Sequence, residues 1–504
     1  TSYGWDEIPT SIMKLASPYI IKPLTHVVNL VITTCVFPQK MKYAIIKPLF
    51  KKDDTRLIEN YRPVALLPAF SKVVEKIVSN QVMEYLDKYK LLSEQQYGFQ
   101  KGKSTQMAVF ELVTHVLRAL DGSQSALGAF CDLSRAFDSV NHELLLVKLC
   151  KLGFSGKSLK FFESYLNDRF HRVKTSNQEG KIFFSDWKPV TVGVPQGSIL
   201  DPVLFLAFVN DLPQNVMSKL ILFADDTTLI TTERNPQFLK SSAEAKIKDM
   251  YDWFSKNGLK FNSTKTNLIN FHTSHAKTNG IINKINFPCV EECQLSQKAT
   301  FLGIIIDEAM NWQSHINMLQ EKLSKAIFAI KTVAEVTDKQ TALMVYHGYF
   351  VSLIRYSIIF WGSNYSKINS IFVLQKKVIR YMFKLKYRES CKEVFKKNNI
   401  LTIPALYILE VLKFVKKNLL IFTSSIINHN YNTRYRTNYK YPIHKLTMLE
   451  KSPYYMGIKM FNIIPDGMKK ENNLLRFVSS LTAILITACP YKIEDFNLEL
   501  FKKA

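Results

Sequence analysis

Apolar positions along this chain follow two rhythms, and the predicted elements change where the rhythm changes. Leu220-Ile221-Leu222 and Leu229-Ile230 are short apolar runs on either side of Phe223-Ala224-Asp225-Asp226. That pattern predicts two strands of a tight hairpin with adjacent carboxylates at the turn. Leu127 to Cys131 is another apolar run, ending at Asp132; Leu144, Leu145, Leu149 and Leu152 then recur at helical spacing before Gly153. A strand carrying a carboxylate at its C-terminal edge, turning into a helix, is expected there. Ser104 or Thr105 stands at an N-cap position ahead of Met107, Phe110, Leu112, Val113 and Leu117, which predicts a further helix. Helical patterns run from Trp312 to Val333, Lys339 to Phe360 and Ile368 to Leu385, and prolines 404, 442, 453, 465 and 490 break the tail. Phe477 to Cys489 is uncharged, but it is shorter than the roughly 20 residues of a membrane span. A buried helix and no membrane partner are expected.

The carboxylates change the picture from architecture to chemistry. Asp225 and Asp226 repel unless water screens them or a cation lies between them. Set beside the hairpin, Asp132 would complete a three-carboxylate oxygen site suited to Mg²⁺, with Mn²⁺ as a substitute. Two such ions about 3.5–4 Å apart activate a hydroxyl and stabilise a leaving pyrophosphate. Asp138 competes for the ligand role, but its place just before a helix predicts an N-cap.

Seven segments in order carry a family resemblance. They are Tyr61-Arg62-Pro63-Val64-Ala65-Leu66-Leu67-Pro68, Gln96 to Thr105, Phe130 to Asp138, Gly193-Val194-Pro195-Gln196-Gly197-Ser198-Ile199-Leu200, Phe223 to Asp226, the set Trp253, Asn257, Leu259, Asn262 and Lys265, and Phe301-Leu302-Gly303. The chain resembles the reverse transcriptase of a non-LTR (LINE-type) retrotransposon of the jockey or CR1-like kind, without the endonuclease that precedes the polymerase in that family. The resemblance implies an α+β right-hand polymerase with an antiparallel palm sheet and a helical thumb. It places an N-terminal extension and fingers at 1–128, palm at 129–310, thumb at 311–395 and a basic C-terminal region at 396–504.

Roles follow from the same resemblance. Asp132, Asp225 and Asp226 would be the metal ligands, with Asp226 the less direct. Phe137 would exclude a ribose 2′-hydroxyl, Gln196 and Gly197 would line the nucleotide pocket, Arg62 would meet the triphosphate and Lys265 the leaving pyrophosphate. Lys101 and Lys103 would touch template, and Leu302 and Gly303 would form the primer grip. Each has a plain alternative: Phe137 as core packing, Gln196-Gly197 as a turn, Lys265 as a solvated lysine, and Lys101 and Lys103 at a solvated helix start. The implied partners are an RNA template, a DNA primer or target and dNTPs. The implied location is the nucleus, with a cytoplasmic ribonucleoprotein stage.

Charge agrees with a polyanionic partner: the formal net charge is +25. From Glu321 onward there are 30 Lys and Arg against 12 Asp and Glu. The densest stretch puts Lys376, Lys377, Arg380 and Lys384 among Tyr381 and Phe383, over an apolar stripe of Val378, Met382 and Leu385. Such a surface neutralises phosphates and stacks unpaired bases. A second cluster is Tyr431, Arg434, Tyr435, Arg436, Tyr439 and Lys440. Seven cysteines without a Cys-x-x-Cys pair suit a reducing compartment. His272, His275, Cys289 and Cys293 have loosely zinc-like spacing in a region of variable loops.

Two departures from the family pattern stand out. Asp201-Pro202 replaces the usual Gly-Pro, adding a Cβ and a negative charge near the nucleotide pocket, and Lys51-Lys52-Asp53-Asp54 replaces Lys-Gly-Asp in the fingers. Asp201 favours the alternative of a catalytically inactive nucleic-acid binder, a remnant or a host-recruited copy. The three surviving carboxylates favour the enzyme. Phe137 weighs against an RNA polymerase, which must admit the 2′-hydroxyl.

Overall fold

The computed structural model describes residues 3–51, 53–177, 179–273, 284–287, 290–422 and 438–501. A long N-terminal helix α1 (Thr10–Thr34) leads to strands β1 (Tyr43–Phe50) and β2 (Tyr61–Leu66) and helix α2 (Ala69–Lys88). Helix α3 (Thr105–Asp121) follows, then strand β3 (Ser125–Ser134), helices α4 (His142–Lys151) and α5 (Gly156–Leu166), and strands β4 (Arg169–Ser176), β5 (Ile182–Phe184) and β6 (Lys188–Val190). Helices α6 (Asp201–Val209) and α7 (Leu212–Asn215) precede the hairpin of β7 (Lys219–Phe223) and β8 (Asp226–Glu233), helix α8 (Pro236–Lys256) and strand β9 (Lys260–Phe271). Two small hairpins come next: β10 (Lys284–Phe287) with β11 (Val290–Gln294), and β12 (Lys298–Phe301) with β13 (Ile304–Asp307).

The palm sheet has strand order β7-β8-β3-β9, antiparallel throughout. Alternation along β3 explains its central place. Ala126 and Phe130 face one core, while Leu127, Ala129 and Cys131 face the other. Helices α4, α5, α6 and α8 cover the second face. There the buried Lys148 ties them together: its ammonium donates to the Phe208 carbonyl at 2.8 Å and to Asp211 at 2.6 Å, and lies 4.5 Å from the Trp253 ring centre. A five-stranded fingers sheet, order β2-β1-β4-β5 with β6 on β4, stands beside the palm.

The remaining chain is helical: α9 (Gln313–Val336), α10 (Lys339–Val345), α11 (Ser352–Arg355), α12 (Ile358–Trp361), α13 (Tyr365–Phe383), α14 (Lys392–Lys397) and α15 (Ile403–Lys417). It ends with α16 (Leu419–Phe422), α17 (Thr447–Glu450), α18 (Pro453–Ile463), α19 (Asp466–Lys470) and α20 (Leu474–Ala488). The pattern at Lys339–Phe360 is not one helix; a π-helical segment at Tyr346–Val351 separates α10 from α11. The helices on either side of residue 395 share a core. Helix α15 is buried along nearly its whole length in the same core as α9, α13, α18, α20 and the outer face of the palm sheet.

Two apolar segments differ from expectation. Helix α20 buries only Phe477, Leu481 and Leu485, at a spacing of four, so it is a surface helix with one inward stripe. The stronger membrane candidate is α1, the only described helix long and apolar enough to cross a bilayer: 25 residues, a window of mean hydropathy 1.3, and 11% of that window buried. It contains Pro18 and Pro23 and buries Val28 and Val31.

Candidate active site

The apolar runs around Asp225 form the expected hairpin, with Phe223 opposite Asp226. The β3–β8 register ends at Cys131 opposite Thr227, so Asp132 lies next to Asp226 at the same end of the sheet. Burial first, then the Asp225 and Asp132 charges, push the Asp226 carboxyl up to about 6. Burial chiefly, with the Asp132 charge, also raises Asp225, against its own backbone N–H, Arg62 and Lys51. The three carboxylates therefore sense one another. They do not form a ready-made cage: among the described residues no three His, Cys, Asp or Glu side chains are gathered tightly enough to hold a metal ion. Three anions without a cation repel, and Mg²⁺ draws much of its shell from substrate phosphates and water.

A support that sequence reasoning missed lies under the hairpin. Segment Gln95–Gly98 runs along β7: Leu222 N–H donates to the Gln95 carbonyl at 2.9 Å, and Tyr97 N–H to the Leu222 carbonyl at 2.7 Å. The buried Gln96 side-chain oxygen accepts from Gly98 N–H at 2.8 Å and Ala224 N–H at 3.1 Å. Ala224 sits at φ 57°, the left-handed region, so the turn needs this hold. Gly98 is required by space, since a Cβ there would lie 2.5 Å from Ala224 N. The signal was present in Gln96-Tyr97-Gly98, but no periodicity reveals that a loop seats the hairpin.

The loop of residues 193–200 packs between fingers and palm. Ala65 N–H in β2 donates to the Gln196 carbonyl at 2.7 Å. Gly197 adopts φ 130°, and a Cβ there would meet the Ala65 carbonyl oxygen at 2.5 Å. The Gln196 amide donates to Asp138 at 2.9 Å. Asp138 is therefore not a helix cap; Asn141 caps α4 by accepting from Leu144 N–H. Phe137 is half-buried and stacks on Phe205 of α6, centroids 4.4 Å apart.

Asp201 corrects the expectation of a charge intruding on the pocket. It is the first residue of α6, 2% exposed, and its carboxylate accepts from the Ser198 hydroxyl at 2.5 Å and from Ser198 N–H at 3.2 Å. The extra carboxylate is turned into the protein, where the two Ser198 donors hold it.

Cations of the fingers split into two groups. Arg62 is exposed at the end of β2, and its charge, with that of Lys51, lowers Asp225. Lys51 also lowers Asp226; the sequence marked it as part of the Lys51-Lys52-Asp53-Asp54 departure and gave it no role at the carboxylates. Lys101 is exposed, but Lys103 is not available to template in this arrangement. Its ammonium donates to the Glu94 and Gln96 carbonyls, both at 2.7 Å, and lies over the Tyr97 ring. Ser104 caps α3 as expected.

Lys265 is exposed on an excursion of β9 beside Asp132, between Asn262 and Asn267. Leu302 and Gly303 form the β12–β13 turn, and the Tyr356 hydroxyl donates to the Leu302 carbonyl. Lys376, Lys377 and Arg380 lie on α13 above the buried Val378 and Met382, and Lys384 ends that helix in a left-handed conformation. Arg380 turns back to the Glu389 carbonyl at 3.2 Å. His275 and Cys289 lie outside the described residues, while His272 faces Glu308 at 3.7 Å. Of the second basic cluster, residues 431–437 lie outside the described residues, and Tyr439 is buried against Phe461.

Residues 50–306, just over half of the chain, match the family described as reverse transcriptase (RNA-dependent DNA polymerase). The chain belongs to the reverse transcriptase family. Its relatives place this reverse transcriptase among those of non-LTR elements. It is 25% identical over 390 residues to the RNA-directed DNA polymerase from mobile element jockey of Drosophila melanogaster, covering 75% of this chain and 41% of the relative. It is 27% identical over 395 residues to the probable RNA-directed DNA polymerase from transposon BS of the same organism, covering 75% and 42%. The chain thus spans about two fifths of the length of these relatives. Among solved structures, telomerase from Candida tropicalis with a fragment of telomeric RNA matches 93% of this chain and 65% of its own, at 13% identity and TM-score 0.42.

Proposed function

We propose that this chain extends a primer 3′-hydroxyl with deoxynucleotides on an RNA template, as one step of target-primed reverse transcription. The observation that carries this reading is electrostatic. Asp132, Asp225 and Asp226 share one end of the palm sheet; the Asp132 charge raises both hairpin carboxyls, and from the fingers Lys51 acts on both of them and Arg62 on Asp225.

The donor set suits a hard divalent cation: all oxygen, mutually repelling, and open on one side for phosphate and water. Asp132, Asp225 and Asp226 would hold Mg²⁺, which Mn²⁺ would replace. When bound, such ions lower the pKa of the attacking hydroxyl and offset charge on the leaving pyrophosphate. The protein's own groups do the rest. Arg62 and Lys51 face the triphosphate with fixed positive charge. Gln196 and Gly197 would line the nucleotide pocket, with Gly197 letting the loop lie against Ala65 of β2. Phe137, held on Phe205, stands where a 2′-hydroxyl would be rejected. Lys265 would neutralise pyrophosphate, and exposed Lys377 and Lys384, with half-buried Lys376, would neutralise duplex phosphates. The site of action implied by integration is the nucleus. Asp201, the feature behind the inactive reading, makes its contacts inward, which removes the main argument for that reading.

Primer extension on an RNA template with dNTPs and Mg²⁺, beside an Asp225→Asn control, tests the proposal. Extension that disappears in the control is expected. A wild-type chain that binds RNA with strong salt dependence and extends nothing would leave a binder, not a polymerase.

A further inference from the structure

The nucleotide loop is gripped from two sides by carboxylates that touch no site of chemistry. From α2, Glu75 accepts Ile199 N–H at 2.7 Å, while the Ser71 hydroxyl holds its other oxygen at 2.8 Å. From α6, Asp201 accepts both the N–H and the hydroxyl of Ser198. The Tyr165 hydroxyl of α5 donates to the same Ser198 oxygen at 3.1 Å. Glu75, Tyr165 and Arg169 are 0% exposed, and Asp201 is 2% exposed.

Resting on the polymerase reading, we propose that Glu75 and Asp201 are positioning residues that set the height of the Gln196–Gly197 backbone over the nucleotide, and so govern dNTP affinity. Ser198 and Ile199 directly follow those two residues, so each grip is one or two peptides from the pocket. The loop's other tie, Ala65 N–H to the Gln196 carbonyl, fixes it to the strand that carries Arg62. Clamping the loop therefore also sets the distance between the pocket backbone and the phosphate-binding cation.

The charge inventory makes this clamp sensitive to pH. The groups facing Asp201 are Ser198 on the loop, Glu75 on α2, Tyr165 on α5 and Arg169 on β4; Lys72 of α2 acts on Glu75. Arg169 is committed to the Tyr165 carbonyl at 3.0 Å and to the face of its ring, and its Nε and Nη2 meet no hydrogen-bond partner among the described residues. Two buried acids facing one guanidinium retain a proton more readily than they bear two charges. Burial, with the Glu75 charge, pushes Asp201 up to about 7. Ionisation above that point sets a second negative charge beside Glu75 and strengthens the bonds from Ser198, so the grip on the loop changes as Asp201 titrates.

The test is steady-state dNTP kinetics on an RNA template with Asp201→Gly, Glu75→Ala, Asp201→Asn and Glu75→Gln, at several pH values from about 6 to 8.5. Glycine and alanine remove the grip, and the amides keep an acceptor for each N–H. Expected is a rise of about tenfold in KM for dNTP in the truncations, the equivalent of one or two lost hydrogen bonds, with kcat nearly unchanged. The amides should restore KM, and Asp201→Asn should make it independent of pH where the wild-type KM changes around pH 7. Folded truncations with wild-type KM, or a loss confined to kcat, would overturn the proposal while leaving the polymerase intact. Should the truncations fail to fold, Asp201→Asn decides: a KM that keeps the wild-type pH dependence overturns it. A wild-type chain that extends nothing sinks the polymerase reading and this clamp together.

Discussion

The side-chain oxygen of Gln96 accepts the backbone N–H of Ala224, one residue before the first carboxylate of the hairpin, at 3.1 Å. A loop in the fingers thus holds the turn that places Asp225. Gly98→Ala should displace this turn, because its Cβ would approach Ala224 N to 2.5 Å. Extension is expected to fall at least about a hundredfold, as sub-ångström misplacement of reacting groups does, while RNA binding persists. Retained activity in a folded Gly98→Ala chain would show that the turn tolerates movement.

Lys103 and Lys101 should separate cleanly. Lys103→Ala leaves two carbonyls without their donor and is expected to destabilise the fold by about 1–3 kcal/mol. The salt dependence of RNA binding should not change. Lys101→Ala should leave the melting temperature alone and reduce the slope of log K against log salt by about one. Thermal unfolding and binding at several salt concentrations measure both.

Phe137 has both a packing partner and an open side. Phe137→Ala removes the stack on Phe205 at 4.4 Å, so a loss of about 2 kcal/mol is expected for a half-buried ring. In the same variant ribonucleotides should be incorporated more readily relative to deoxynucleotides. Unchanged sugar discrimination would make the ring a core residue and nothing more.

Tyr356→Phe should loosen the β12–β13 turn by removing the only described hydrogen bond from the helical region to the Leu302 carbonyl. A loss of about 1 kcal/mol in primer–template affinity is expected, read as faster dissociation during extension. Equal run lengths in wild type and variant would place the primer grip elsewhere.

Asp201 also sets a dependence of stability on pH. Its folded pKa, about 7, lies above the ordinary value of 3.8. Between those values the folded state binds more protons than the unfolded state. Stability from this group is therefore full below about pH 4 and is lost as pH rises to about 7, with a slope of at most about 1.4 kcal/mol per unit. Asp201→Asn should flatten that part of a denaturation-versus-pH series. An unchanged slope would assign the proton elsewhere.

The palm was legible because its strands are bounded by turns and its β3 residues alternate between two cores. What the residues did not announce was everything made by contact across the chain. Gln96 is an ordinary polar residue until it meets Ala224, and Lys103 reads as a phosphate ligand until two carbonyls claim it. Asp201 read as an intruder because its inward partner, Ser198, lies three residues back on a loop whose path no periodicity gives. The break at Tyr346–Val351 was hidden for a different reason: a π-helical segment keeps an apolar pattern close enough to α-helical to pass as continuous. The core shared across residue 395 was equally hidden, because the helices that surround α15 are a tertiary fact.

That shared core has a consequence during synthesis. Phe110 of α3 packs on Phe414, Phe422 and Tyr454, and Asp121 at the end of the same helix accepts the N–H groups of Lys445 and Leu446, about 324 residues later in the chain. A ribosome adding roughly 5–20 residues per second leaves this apolar face uncovered for some 15–60 s. The early half of the protein therefore emerges without its lid, and its passage to the native state depends on whatever shields that face until the last helices arrive.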